Sequence, residues 1–321
     1  MRQVFTFSAA AAFSIAMAAA PALAADVPAG VAPAPAAPAA PAAAPKPFDL
    51  AFGVKFTTNY LFRGISQSNR KPVPQAYAEA QFLDNLIYVN AFYSKVDLVT
   101  RPAAETDIAV GIRPKLGPLN FDIGWMMYGY PKERRLFNPY SPVEYTGYAG
   151  VFEAPAILSP KNTDFQEIHA AVSGDIGDFT LGAGVYYAWN WLGTGAPATY
   201  VNGTLKYTIP ESVTAAAFPG KVSFSGELGY YDLGRTAWNY GAVKLKSYTT
   251  WNVGASYNYK NLTVDLRYSD TNLSKQDCFL NTSDPRGFAT GSGRSAWCGA
   301  TFLATVSLDF TLSGLQEALA R

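Results

Sequence analysis

The sequence predicts an all-β protein: an antiparallel transmembrane β-barrel of about 12 strands, after a signal peptide and an Ala/Pro-rich spacer. Three observations carry this. Between residues 48 and 310, apolar and polar residues alternate in segment after segment, the period of a strand with two unlike faces. Most segments run about ten residues, the length a tilted strand needs to cross a bilayer. Short and long connections then alternate through the chain. Outer-membrane barrels do this, with short periplasmic turns and long external loops, and a soluble sandwich has no reason to.

Residues 1–24 hold one basic residue, Arg2, an apolar Ala-rich stretch, and Ala22-Leu23-Ala24, the pattern of a secretory signal with a small-x-small cleavage site. The stretch is short and weakly hydrophobic for the alternative, a membrane anchor. Residues 25–47 are almost only Ala and Pro, which suits an extended, disordered periplasmic spacer. Removing the signal deletes only Arg2 among the charged residues, so 24 basic and 24 acidic residues remain. That balance argues against nucleic acid as a partner. After the signal no apolar run approaches 18 residues, so no spanning helix is expected.

The first strand is expected to run from Leu50 through Phe52, Val54 and Phe56 to Tyr60 and Phe62, with both terminal aromatics in the girdle at the outer interface. Weaker alternation follows at 75–82, then 86–96 with ambiguous phase, then 106–114 and 119–129. The later strands are 165–174, 179–190, 199–209, 221–231, 248–259, 262–269 and 301–310. The even strand number puts both chain ends on the periplasmic side, with 311–321 as a periplasmic tail.

Hydrocarbon admits a sheet only if it closes on itself, so one face meets lipid and the other lines the lumen. In this phase the candidate lumen-lining residues are Lys55, Asn59, Glu79, Asp107, Arg113, Asp122, Glu167, His169, Lys206, Glu227, Asp265 and Arg267. Facing lipid near the midplane, each basic group would cost about 2–4 kcal/mol; facing inward, they pair or meet water. Whether the lumen is open, gated or plugged stays open at this point. The third external loop, 130–164, is long enough to fold inward and constrict it. Arg63, Arg70, Lys71, Arg134 and Arg135 are candidate external-loop cations; for the basic first loop (Arg63, Arg70, Lys71) and fifth loop (Arg235, Lys244, Lys246), lipopolysaccharide phosphates are the plainest partner. Cys278 and Cys298 share one polar, Gly-rich stretch. In an oxidising compartment a disulfide is expected of them, in preference to a metal site without a nearby His.

No catalytic, cofactor-binding or metal-binding motif is found. A lipid hydrolase would need His169, the chain's one histidine, beside a serine at the lipid face, whereas the phase points it inward.

The segment FTTNYLFRGISQSNRKPVPQAYAEAQF, 56–82, resembles the TorF-type putative porins of proteobacteria. The core is Asn59-Tyr60-x-Phe62-Arg63-Gly64-Ile65-Ser66-Gln67, followed by Pro74-Gln75. The resemblance implies an outer-membrane barrel with a porin role and supplies no catalytic residue. The expectation is therefore a channel for passive diffusion of small polar solutes or ions, in contact with outer-membrane lipid. The alternatives are a closed structural barrel with partner-binding loops and, more remotely, a lipid hydrolase. Association of identical copies is left open.

Overall fold

The computed structural model describes residues 46–134, 137–142, 155–157, 160, 162–214 and 219–320. The signal segment, nearly all of the spacer, Arg135, and Glu144 and Glu153 of the third loop lie outside the described residues.

Twelve antiparallel strands close into a barrel. They are β1 Phe48–Thr57, β2 Val73–Phe82, β3 Ile87–Ser94, β4 Glu105–Ile112, β5 Leu119–Gly129, β6 Phe165–Ile176, β7 Phe179–Trp191, β8 Ala196–Thr208, β9 Lys221–Leu233, β10 Tyr248–Tyr259, β11 Leu262–Thr271 and β12 Thr301–Thr311. Every strand pairs with its sequence neighbours. The ring closes through β1 on β12, where Phe52 stands opposite Phe310 and Phe56 opposite Val306.

The alternation sorts the faces. On β4, Glu105, Asp107 and Ala109 are buried while Ile108, Val110 and Ile112 are exposed. The ambiguous β3 resolves the same way, with Tyr88, Asn90, Phe92 and Ser94 inside and Val89 and Tyr93 outside. Val54, Val185, Leu205, Val253 and Leu266 are each more than 40% exposed on the outer face. An apolar belt present on every side of a closed sheet would aggregate in water; it matches hydrocarbon.

At the periplasmic end, Gly177 supplies the left-handed φ of +60° that the two-residue β6–β7 turn requires. After β12 the tail forms a helix, Leu312–Leu319, whose N-cap Thr311 accepts from the Gly314 amide. Two expectations shift. β7 and β8 run to Trp191 and from Ala196, so the fourth external loop shrinks to 192–195, because the alternating inward set continues through Ala188 and Ala198. And β1 ends at Thr57, five residues before Phe62.

Candidate functional site

Beyond Thr57 the chain turns inward. Asn59 is buried, and its Oδ1 accepts from the Ser66 hydroxyl at 2.7 Å. The Ser68 hydroxyl accepts from the Tyr60 amide at 3.0 Å. These bonds fold 61–66 into a tiny hairpin, Leu61–Phe62 against Ile65–Ser66. Its turn places Arg63 and Gly64 at φ +48° and +81°. A Cβ on Gly64 would lie 2.3 Å from Thr250 Oγ1 and 2.6 Å from Thr271 Cγ2, so only glycine fits against the wall there.

This first loop crosses the bore. The Tyr60 hydroxyl donates to Glu105 of β4, and its ring packs on Phe92 of β3. Phe62 packs edge-on against Tyr128 of β5 and Phe165 of β6. Arg63 reaches Glu167 of β6 with two parallel hydrogen bonds of 2.7 Å. Its guanidinium lies 4.5 Å from the Tyr200 ring of β8, 4.6 Å from Tyr231 of β9 and 5.2 Å from Tyr186 of β7. The Tyr248 hydroxyl of β10 donates to the Arg63 carbonyl at 3.0 Å, and Gly64 meets Thr271 of β11. One loop thus touches nine strands, β3 to β11. The layer is dry: the Arg63 and Glu167 side chains are 3% and 1% exposed.

These positions correct two expectations. Tyr60 and Phe62 are not girdle residues; Tyr60 is 1% exposed inside the barrel. Arg63 is not an external-loop cation but the centre of the plug, because a bidentate carboxylate and a box of aromatic faces offset its dehydration. Among the described residues the first loop crosses the bore; most of the third loop, for which inward folding is also expected, lies outside them. Of the third loop's charges, Lys132 and Arg134 are exposed.

The remaining sequence-predicted lumen residues sit on the inner face, most of them in two further groups. On the β2–β6 side, Arg113 donates to Glu79 at 2.7 and 3.0 Å and to Asp122 at 3.1 Å, with its guanidinium 3.8 Å from the Tyr88 ring. His169 Nε2 lies 3.0 Å from Asp122. No serine hydroxyl bonds it among the described residues, and its ring stacks on Tyr186 inside the barrel. On the opposite side, Arg267 donates to Asp265, to Asn252 at 2.6 Å and to Ser225 at 2.9 Å, while Glu227 accepts from Tyr200 and Asn202. Arg267 and Asp265 are 19% and 20% exposed, so water reaches them within the lumen. Lys55 is buried beside Gln75 and Ser307 in the register, and Lys206 is half-buried toward the periplasmic end of β8. Asp107 lies beside Tyr128 in the dry layer.

Above the plug the external loops enclose a cavity of about 240 Å³. Phe62, Tyr231 and Tyr248 line it below, and Trp297 and Leu245 line it from the loops, with no charged side chain among the described lining residues. Cys278 and Cys298 are disulfide-bonded in the sixth loop, where the Trp297 carbonyl accepts from the Ser66 amide at 2.9 Å. The rim is fastened again by Arg70 on the Gly299 carbonyl at 2.6 Å and by Lys71 on Asp97 at 2.6 Å. Burial alone would raise the Asp97 carboxyl, but hydrogen bonds from Lys71 and Asn69 outweigh it and hold Asp97 below the usual carboxylate range.

The model of the Gcw_chp family, described as a bacterial protein of unknown function, matches residues 41–292. The chain belongs to the Gcw_chp family. That match spans the signature of the first loop and every strand except β12. No curated protein matches the chain. Among solved structures it is similar to the KdgM porin in complex with disordered oligogalacturonate, at 8% identity and a TM-score of 0.44, over 82% of this chain and 99% of that one. The NanC porin matches at 12% identity and a TM-score of 0.42, over 81% and 98%. OmpT of Vibrio cholerae matches at 9% identity and a TM-score of 0.35, over 82% and 97%.

The run Asn59-to-Gln67 was legible as a strand exit. Its inward course was not, since that depends on Glu167, Tyr200, Tyr231 and Tyr248, which lie more than a hundred residues away in the sequence.

Proposed function

We propose that this Gcw_chp protein is an outer-membrane, porin-like channel for small polar solutes or ions, closed at rest by its first external loop. The observation that carries the reading is that one loop crosses the bore between the lumen and the external cavity. Side-chain exposure is about a fifth at Arg267 and Asp265 on one wall, 12% to 2% at Arg113, Glu79, Asp122 and His169 on the other, and 3% and 1% at Arg63 and Glu167 in the layer of the loop. That single loop of chain is held by polar and ring contacts. A barrel meant only to be solid is better filled by apolar side chains, because a buried ion pair contributes little net stability over them. A polar loop plug is one that water can replace. The resemblance of residues 56–82 to the TorF-type putative porins fits this reading, with the signature serving as the plug. Exposed Arg70 and Lys71 of the first loop and Arg235, Lys244 and Lys246 of the fifth are the cations offered to lipopolysaccharide phosphates.

The test is single-channel recording of the refolded protein in planar bilayers, beside a variant in which residues 60–67 are replaced by a short Gly/Ser turn. The wild type is expected to be mostly closed with rare discrete steps, and the variant steadily open. Silence of the inserted variant would overturn the channel reading in favour of a closed barrel.

A further inference from the structure

We propose that Glu105 and Asp107, at the external end of β4, form a proton-binding site that latches the first loop in the bore. The inference rests on the reading of that loop as a removable plug. Both residues face inward on one strand and are 1% and 6% exposed. They stand two residues apart on the same face of that strand, so their carboxyls are neighbours on the inner wall. Glu105 also accepts from Tyr60, which belongs to the plug, and bonds Tyr130. Asp107 Oδ1 is buried without a partner.

Among the described residues the charges around them do not balance. Arg63 is already matched, since both oxygens of Glu167 are taken by its guanidinium and by Tyr128. Two further carboxyls remain. Among the described residues, the other titratable or charged groups facing the layer are Tyr60 from the plug, Tyr128 from β5, Tyr130 just beyond it, and Tyr186, Tyr200, Tyr231 and Tyr248 from β7 to β10. Asp164 accepts from the Tyr130 amide at the rim. His169 and Asp122 lie one layer toward the periplasm. Lys55 stands along the same row, beyond Ser94 and Gln75. β3 contributes only Phe92 and Ser94 at this level.

Two neighbouring carboxyls shut off from water, with no cation of the described residues bonded to either, do not both ionise, so the pair keeps a proton while the plug is seated. When the loop leaves, Tyr60 leaves Glu105, water reaches both groups, and the proton is released. The seated state therefore binds one more proton than the open state. By linkage, acid favours the plug and alkali releases it, by up to about tenfold per pH unit across the range where the pair titrates.

The experiment follows the full-length protein from pH 5 to 9, a window above the range where Asp97 at the rim takes up its proton. Two quantities are read: hydrogen–deuterium exchange of residues 58–72, corrected for intrinsic base catalysis, and open probability in planar bilayers. Both are expected to rise with pH in the wild type and in His169→Gln. They are expected to be flat and low in Asp107→Asn, with Glu105→Gln as the second neutral variant. Exchange independent of pH, a pH step surviving in both neutral variants, or one lost in His169→Gln would each overturn the latch. A silent bilayer alongside pH-dependent exchange would support the latch and remove the conduction reading, so the two fail separately.

Discussion

Replacing Glu167 by Gln strikes the plug at its centre. The Arg63–Glu167 pair is bidentate at 2.7 Å with both side chains at most 3% exposed. Removing one partner of such a pair leaves an uncompensated buried charge, at a cost of about 3–5 kcal/mol. Two effects reduce this. The Gln oxygen keeps one hydrogen bond, worth about 1 kcal/mol. The rings of Phe62, Tyr200 and Tyr231, all within 4.6 Å of the guanidinium carbon, go on facing the cation. A net of about 2–3 kcal/mol against the seated loop remains. At about 1.4 kcal/mol per tenfold, the plug equilibrium moves toward open by about 30- to 150-fold. The assay is single-channel open probability, with exchange of residues 58–72 as a readout independent of conduction. A double variant, Arg63→Met with Glu167→Met, is the control: it removes both charges and fills the space with apolar atoms, so the loop is expected to stay seated. Open probability and exchange both unchanged in Glu167→Gln would refute the argument that this ion pair holds the plug.

Three more perturbations probe other layers. Gly64→Val places a branched side chain where a Cβ already meets Thr250 at 2.3 Å and φ is +81°, so the loop cannot seat; trypsin is expected to cut at Arg63 or Arg70 in the variant and to spare the wild type. Reducing the disulfide between Cys278 and Cys298, 20 residues apart, frees the sixth loop at a cost of about 3 kcal/mol in the entropic account; the band shift of the heated barrel on electrophoresis is expected at lower temperature. Val185→Lys on the lipid face of β7, where Val185 is 42% exposed, is expected to lower folding stability in vesicles by about 2–4 kcal/mol, read by urea titration, while Thr204→Lys on the lumen face costs far less.

The fold and the lumen were legible in the sequence for one physical reason. A strand's side chains alternate with period two, and a bilayer punishes any strand that presents charges to lipid. Local alternation therefore fixes which way Asp107, Glu167 or Arg267 points without knowledge of any neighbour. Connection lengths then set the order of turns and loops. The plug obeyed no such local rule. Phe52, Val54, Phe56, Tyr60 and Phe62 read as one periodic strand, yet Asn59 bonds Ser66 and diverts the chain after Thr57. Nothing in Arg63 and Gly64 themselves separates a solvated external turn from a buried one. That choice falls to Glu167 on β6, the tyrosines of β7 to β10, and the Thr250 and Thr271 wall that only a glycine can approach. The sequence alone determined that this chain makes a barrel with a polar interior. Only closure of the ring, which brings nine strands within reach of one loop, decided that this loop lies across the interior.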